Sequence, residues 1–188
     1  MSADRLPPIP QALWSAEQRA SAQEIIDGPR GALLAPFIPL LRSPELLTHA
    51  QRMGEYLRYR SAIGLKLSEL AILITARQWS QQVEWAIHAP IALRAGIAER
   101  TLADIAQGRR PPDLPDDEAA VHDFCIELQR NHAVCDATWN EVVTRFGEAG
   151  AVDLIGINGY YALLSMVMNA ARTPAPDSAA RPLPRLAG

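Results

Sequence analysis

The chain has 188 residues, a formal net charge of −3 and a hydrophobic fraction of 48%, so it is long enough to bury a substantial core in a single domain. Lys66 is the only lysine and no basic block occurs, which argues against a nucleic-acid partner. The two cysteines, Cys125 and Cys135, are too few for a disulfide framework or a zinc site and too far apart for a Cys-x-x-Cys redox pair.

The start of the sequence does not have the pattern of a signal peptide. The opening "MSADRLPPIPQ" lacks the apolar core of a signal peptide, and no apolar run is expected to reach the roughly 20 residues of a membrane span. We therefore expect a cytoplasmic protein without a membrane partner. Composition divides it into an N-terminal arm (residues 1–15), one helical domain (16–172) and a Pro/Ala-rich tail (173–188).

The first predicted elements in chain order are two helices separated by a loop. A short helix covers about residues 16–27 and is closed by Gly28. The segment "GPRGALLAPFIP", with three prolines, is predicted to be a loop. A second helix follows, with Ser43 as its N-cap and Pro44 in its first position.

The next segment, "LSELAILITARQ", is apolar nearly all round, which predicts a buried helix. Ser68 is its expected cap, with Glu69 in the first turn, where the helix dipole favours an acid. We predict a break around Trp79–Ser80 and then a helix from about residue 81 to 95, ended by Gly96. The two helices are expected to fold back on each other as a hairpin.

The C-terminal half is also predicted to be helical. A short amphipathic helix stops at Gly108, a surface helix carries Val121 and Leu128 on one stripe, and Asp136 caps a helix to about Phe146. The final segment, "AVDLIGINGYYALLSMVMNAA", is apolar on every side, as in a central helix or one buried in an oligomer. No strand pattern is found, and the predicted fold class is all-α.

One stretch of the second hairpin helix, "VEWAIHAP", places a carboxylate four residues before an imidazole. On a helix Glu84 and His88 share a face, where the acid can hold one ring nitrogen while the other nitrogen moves a proton. Glu69 can approach from the other helix of the hairpin. A simpler interpretation stays open, since such pairs are usually solvated neighbours worth a few tenths of a kcal/mol. One histidine and one acid are too few ligands for a metal, so we expect no metal here.

The segment "SELAILITARQWSQQVEWAIHAPIALRAGI" resembles the core signature of the carboxymuconolactone decarboxylase family, which is similar to the alkylhydroperoxidase D-like proteins. The acid Glu69, the Ala-Ile-Leu run after it, the Glu84–Trp85 pair, His88 and the "AGI" ending match the signature. The resemblance extends over about residues 44–169. It implies an alkylhydroperoxidase D-like helical domain that assembles into homotrimers or hexamers.

The alkylhydroperoxidase branch implies a catalytic Cys-x-x-Cys followed by a histidine. Aligned on His88, those two positions are Gln81 and Glu84 here, and neither supplies the sulfur nucleophile that thiol peroxidase chemistry needs. The chain therefore resembles the branch that lacks the cysteines. Val83, where many relatives carry a tyrosine, and Pro90 within the helix depart from the family pattern.

The decarboxylase branch implies loss of CO₂ from γ-carboxymuconolactone, or reaction of a similar small carboxylated lactone, without metal or organic cofactor. On this resemblance His88 is the acid/base, Glu84 or Glu69 sets its tautomer, and Gln81 donates to the lactone oxygen. The binding cation is Arg77 or an arginine of "YLRYR" (Arg58 or Arg60), and Trp85 completes the substrate site. Two alternatives stay open: a thiol-dependent hydroperoxide reductase, and a ligand-binding oligomer without catalysis.

Overall fold

The computed structural model describes residues 3–176 and 183–184. Within these residues the chain is helical, with a short 3-10 turn at Gln11–Leu13 and no strand. The all-α prediction is confirmed. The α-helices are α1 (Ala16–Asp27), α2 (Phe37–Leu40), α3 (Pro44–Tyr59), α4 (Gly64–Gln78), α5 (Gln82–Arg94), α6 (Glu99–Ala106), α7 (Asp116–Asn131) and α8 (Asp136–Ala171).

The predicted bounds are met best where a cap or a glycine marks the helix end. Helix α1 begins after Ser15, whose hydroxyl accepts from the Gln18 amide while the Gln18 side chain accepts from the Ser15 amide. The segment predicted to be a loop contains the one-turn helix α2. Burial of Phe37 and Leu40 against the core holds this turn in place, although prolines flank it and lie within it.

The start of α4 was predicted wrongly. This helix begins at Gly64, which has a positive φ of 75°, four residues before the expected cap. Ser68 therefore lies inside the helix, where its hydroxyl bonds to that of Ser61 at 2.7 Å, and Glu69 lies in the second turn. The predicted break is confirmed, because Ser80 has a φ of 49° and turns the chain from α4 into α5.

The last two predicted helices are joined in the structure. Helix α8 is continuous from Asp136 to Ala171 apart from Gly147, whose φ of 70° and ψ of 175° place a kink where the first of the two was expected to end. By length and composition α8 can cross a membrane, although 56% of its most apolar window is buried inside the domain. The expectation that no apolar run reaches membrane-spanning length is not met by this helix. The composition of α8 is also typical of a buried core helix.

Helix α4 is the centre of the domain. Its residues from Leu70 to Ile74 are fully buried, and it packs against α5, α7 and α8. Helices α4 and α5 form the predicted central hairpin. Helix α3 packs on α1, α4 and α8 and brings its C-terminal end beside the hairpin.

Both ends of the described chain contact the domain. In the predicted arm, the Arg5 amide donates to the Ala171 carbonyl at 2.8 Å. At the other end, Leu183 is buried and exchanges two hydrogen bonds with the Gln82 side chain, at 2.7 and 2.8 Å. The remainder of the predicted tail beyond residue 176 lies outside the described residues. The division into arm, domain and tail stays a prediction.

Candidate active site

The α4–α5 hairpin brings two carboxylates to opposite sides of one imidazole. Glu69 of α4 places Oε2 at 2.6 Å from Nδ1 of His88 on α5. Glu84, one turn before His88 on α5, places Oε2 at 3.3 Å from Nε2. The three predicted catalytic residues therefore lie together. The expectation that one ring nitrogen would be free is wrong, because the hairpin geometry gives each nitrogen its own carboxylate.

The group is buried, which decides its electrostatics. The side chains of His88, Glu69 and Glu84 are 4%, 0% and 1% exposed, so they are not solvated helix neighbours. Burial alone lowers the pKa of His88, but the hydrogen bonds and charges of Glu69 and Glu84 outweigh it and raise that pKa above its usual value. The two acids therefore favour the protonated form of the ring, with Nδ1 at hydrogen-bond distance from Glu69 and Nε2 at ion-pair distance from Glu84.

The position of Glu84 follows from the start of α5. Glu84 lies in the first turn of this helix, whose positive end stabilises a carboxylate. The N-cap is Gln81, whose Oε1 accepts from the Val83 amide at 2.5 Å. The helix dipole and the Gln81 cap thus hold Glu84 in position beside His88.

A small cavity opens beside the imidazole. Its volume is about 20 Å³, roughly the space that one water molecule needs. The Tyr161 ring meets the imidazole edge-on with a centroid distance of 5.2 Å. The lining residues come from α3, α5, α8 and the segment before and within α2: Arg30, Leu34, Pro36, Phe37, Arg58, Glu84, Ile87, His88, Tyr160, Tyr161 and Leu164.

Buried polar atoms without a hydrogen-bond partner gather at this place. Within the described residues they include Nε of Arg58, Oε1 of Glu69, Oε1 of Glu84 and the hydroxyl of Tyr160. Nε of Arg58 and Oε1 of Glu69 are 3.5 Å apart, an ion pair but a poor hydrogen bond. Buried polar groups are normally hydrogen-bonded, so four unpartnered polar atoms at one place within the described residues are unusual.

Two tyrosines of α8 contribute to the site. Burial raises the pKa of both Tyr160 and Tyr161 above the ordinary value for tyrosine, which keeps both hydroxyls protonated. Tyr160 packs directly on Gly54 of α3, where a Cβ atom would overlap its hydroxyl. The absence of a side chain at Gly54 is thus what admits this hydroxyl to the site.

Three predicted binding residues are not placed at the cavity. Gln81 is not a lining residue of the cavity; its Nε2 donates to Oδ1 of Asn169 at 3.0 Å, and its Oε1 caps α5. Trp85 is 5% exposed and packs in the hydrophobic core. Arg77 lies two helical turns beyond Glu69 and lines a different cavity, so its assignment to this site is wrong.

The cation beside His88 comes from the "YLRYR" segment instead. Arg58 lines the cavity and faces Glu69, whereas the Arg60 guanidinium stacks on the Tyr56 ring at 5.6 Å. Arg30 is a second cation at the cavity that the sequence analysis missed. It lies in a loop, where no periodicity reveals which way a side chain faces, and it stacks on Phe37 at 5.1 Å.

Neither cysteine belongs to the site. Cys125 is fully buried on α7, accepts from Nδ2 of Asn158, and has its pKa raised to about 12 by burial. Cys135 is exposed at the start of α8, where its thiol contacts the Glu127 carboxylate at 3.6 Å. Among the described residues no group of three or more His, Cys, Asp or Glu side chains is arranged to hold a metal ion.

No protein-family model matches the chain, and no curated protein does either. The arrangement of helices is nevertheless that of the alkylhydroperoxidase AhpD core. A crystal structure of this class, an uncharacterised peroxidase-related protein from Ralstonia eutropha JMP134, superposes with a TM-score of 0.75. The match covers 95% of this chain and 96% of that one at 16% sequence identity. The fold is thus shared, as the sequence resemblance implied.

Proposed function

We propose that the protein is a cofactor-free acid/base enzyme that decarboxylates or isomerises a small carboxylated lactone such as γ-carboxymuconolactone. The observation that carries the proposal is the buried Glu69–His88–Glu84 group beside a cavity with unpartnered polar atoms. Perturbed titratable groups that converge on a cavity are characteristic of catalytic sites. The sequence resemblance to the decarboxylase branch supports the same chemistry.

The cations of the cavity favour an anionic substrate. Arg58 and Arg30 both line it, and guanidinium groups bind carboxylates through paired hydrogen bonds. Nε of Arg58 is buried and has no hydrogen-bond partner in the described part of the chain. A substrate carboxylate on Arg58 would place the rest of a small ring against Glu84 and Tyr160.

The proposed reaction needs one proton and no redox partner. The bond from the ring carbon to the carboxylate breaks, CO₂ leaves, and the electron pair moves into the conjugated lactone. The lactone oxygen, where negative charge develops, accepts a hydrogen bond from the Tyr160 hydroxyl. His88 passes a proton through Glu84 to the carbon, Glu69 holds the imidazole in place, and solvent restores the proton.

Entry of a substrate requires movement of the cover over the cavity. At about 20 Å³ the cavity is far smaller than a lactone acid. Leu34, Pro36 and Phe37, in and before α2, form one wall. These residues come from the connection between α1 and α3, so we propose that this segment opens to admit the substrate.

A comparison of two site variants tests the proposal. In assays with γ-carboxymuconolactone and related lactone acids, Arg58→Gln is expected to raise KM about tenfold, the loss of one charge-assisted hydrogen bond. Glu84→Gln is expected to lower kcat by about 10²-fold or more, since it removes proton transfer. Arg94→Gln, a surface change at the end of α5, serves as the control and should alter neither constant.

Two other results would each favour a different function. Peroxide consumption that depends on Cys125 or Cys135 would favour a thiol peroxidase. Binding of lactone acids that depends on Arg58, with no turnover of any of them, would favour a ligand-binding protein that keeps the fold without the reaction.

We also propose that the protein is a homo-oligomer, a trimer or hexamer on the family resemblance. Helix α8 exposes a stripe of apolar side chains on one face, with Val152, Ile155 and Met166 being 60%, 43% and 46% exposed. In light scattering Ile155→Asp should dissociate the assembly, whereas Leu13→Asp, at a residue 73% exposed on the 3-10 turn, should not. A monodisperse wild-type monomer would contradict the proposal.

A further inference from the structure

A second cavity lies at the far end of α4 from Glu69, and its volume is about 240 Å³. Arg77 belongs to this cavity. The lining residues come from α4, α6, α7 and the loop after α6: Ile74, Arg77, Gln78, Ile105, Gly108, Arg109, Arg110, His122, Asp123, Ile126 and Arg130. Four of these side chains are guanidinium groups, and one is a carboxylate.

The charges of this cavity are only partly balanced. Arg110 pairs with Asp123 at 2.8 Å, and Arg109 pairs with Asp104 at 2.7 Å. Arg77 and Arg130 have no carboxylate within ion-pair distance among residues 3–176 and 183–184. Within the described residues, two positive charges at the cavity thus have no ion-pair partner.

Arg77 is the buried member of this pair. The residue is 1% exposed, and burial lowers its pKa. Its two terminal nitrogens donate to the carbonyls of Ala106 and Pro184 and to the hydroxyl of Ser80. Its Nε is buried without a hydrogen-bond partner in the described residues. Carbonyl and hydroxyl oxygens fix the guanidinium but do not neutralise it.

The other wall of the cavity is apolar. Ile74, Ile105 and Ile126 line it. His122 adds no charge at neutral pH, because burial lowers its pKa even though its Nδ1 bonds to Asp123 at 2.9 Å. A ligand that matches this cavity has an anionic head for the arginines and an apolar body for the isoleucines.

We propose that this cavity binds a small organic phosphate. A phosphate dianion balances the two unpaired guanidinium groups and offers several acceptor oxygens, one of them for Nε of Arg77. The apolar body of the ligand packs against the three isoleucines. The site is separate from the His88 cavity, because Arg77 lies eight residues after Glu69 on α4, about 12 Å along the helix axis.

Phenyl phosphate is a suitable probe, and calorimetric titration of the full chain measures its Kd. Arg130→Gln, a change at an exposed side chain, is expected to weaken binding about tenfold. Arg77→Lys keeps the charge but loses the guanidinium geometry, and it should weaken binding as well. Arg94→Gln on the surface and Arg58→Gln at the His88 cavity should leave the Kd unchanged. Circular dichroism melting of each variant confirms that it is folded.

The alternatives give different patterns in the same experiment. No measurable heat at millimolar phenyl phosphate would overturn the proposal. Equal binding of phenyl phosphate and inorganic phosphate would refute the apolar part of the site. A loss of affinity in Arg94→Gln as large as in Arg130→Gln would show non-specific charge attraction, and a loss confined to Arg58→Gln would place the phosphate at the His88 cavity.

Discussion

Replacing Glu69 with glutamine tests whether a buried carboxylate holds His88 as an imidazolium. Glu69 is fully buried, and its Oε2 lies 2.6 Å from Nδ1 of His88. Glutamine preserves the size of the side chain but removes its charge. Hydrogen bonds to charged groups contribute about 1.5–3 kcal/mol, whereas removing one partner of a buried ion pair altogether costs about 3–5 kcal/mol. We therefore expect Glu69→Gln to destabilise the protein by about 1.5–3 kcal/mol.

The loss of stability in Glu69→Gln should depend on pH, and the direction of that dependence can be derived. Because the pKa of His88 is raised in the folded state, the stability that it contributes is fully present below its unfolded pKa of about 6.5 and is lost as pH rises through the folded pKa. The difference in unfolding free energy between wild type and Glu69→Gln is thus expected to be largest below about pH 6.5 and to shrink as pH rises through the raised folded pKa of His88. The part of this difference that comes from the ion pair of Glu69 with Arg58 is expected not to change with pH over this range, since arginine stays charged.

Urea unfolding followed by circular dichroism at several pH values measures the difference in free energy of unfolding between the two proteins. Near pH 6 we expect the urea midpoint of Glu69→Gln to be lower by about 1 M. Titration of the histidine ring signals by NMR measures the pKa of His88 directly in both proteins. Glu141→Gln, which breaks an exposed pair with Arg145, is the control and should show little change at any pH. A difference that is absent near pH 6, or that widens as pH rises, would refute the reasoning.

A pair of glycine substitutions tests the packing of the site, and a thiol reagent tests the state of the cysteines. Gly54→Ala is expected to cost about 1–3 kcal/mol in urea unfolding, because the new methyl overlaps the Tyr160 hydroxyl in a close-packed interior. Gly156→Ala, whose methyl would meet only the mobile end of a leucine at 3.0 Å, should cost less, and an equal cost would contradict this account of Tyr160. A thiol reagent should modify Cys135 promptly and Cys125 only on unfolding, since the first is exposed and the second buried; rapid reaction of both would contradict the structure.

The hairpin and its acidic pair could be predicted because their signals are local. The apolar run of α4 predicts burial, and the positions around Trp79 and Ser80 mark the break before α5. Once two helices fold back, an acid on α4 can reach His88 on α5. That each nitrogen of His88 meets a carboxylate depends on the exact placement of the hairpin, which periodicity does not define.

Which arginines reach the site is decided by contacts between residues that are distant in sequence, so the sequence alone could not identify them. Arg58 lies in the last turn of α3 and Arg60 just past its end, and only the fold shows that Arg58 faces Glu69. Arg30 enters from a loop. Arg77 appeared close to His88 in the linear sequence, but it lies about two turns beyond Glu69 along α4.

The start of α4 was misjudged for a related reason. Ser68 followed by an acid is typical of a helix N-terminus, but its hydroxyl bonds to Ser61 inside the fold. The helix instead begins at Gly64, where the chain turns through a positive φ. The capping pattern at Ser68 is thus not used as a cap, and its hydroxyl makes a local hydrogen bond instead.

The most direct test of the central claim is the rate of CO₂ release from γ-carboxymuconolactone, compared between wild type, His88→Asn and the double variant Cys125→Ser/Cys135→Ser. The account predicts that His88→Asn loses about 10²–10⁴-fold in kcat, the usual contribution of a positioned acid/base, while the double variant keeps the wild-type rate. Full activity in His88→Asn, or loss of activity only when the thiols are removed, would contradict it.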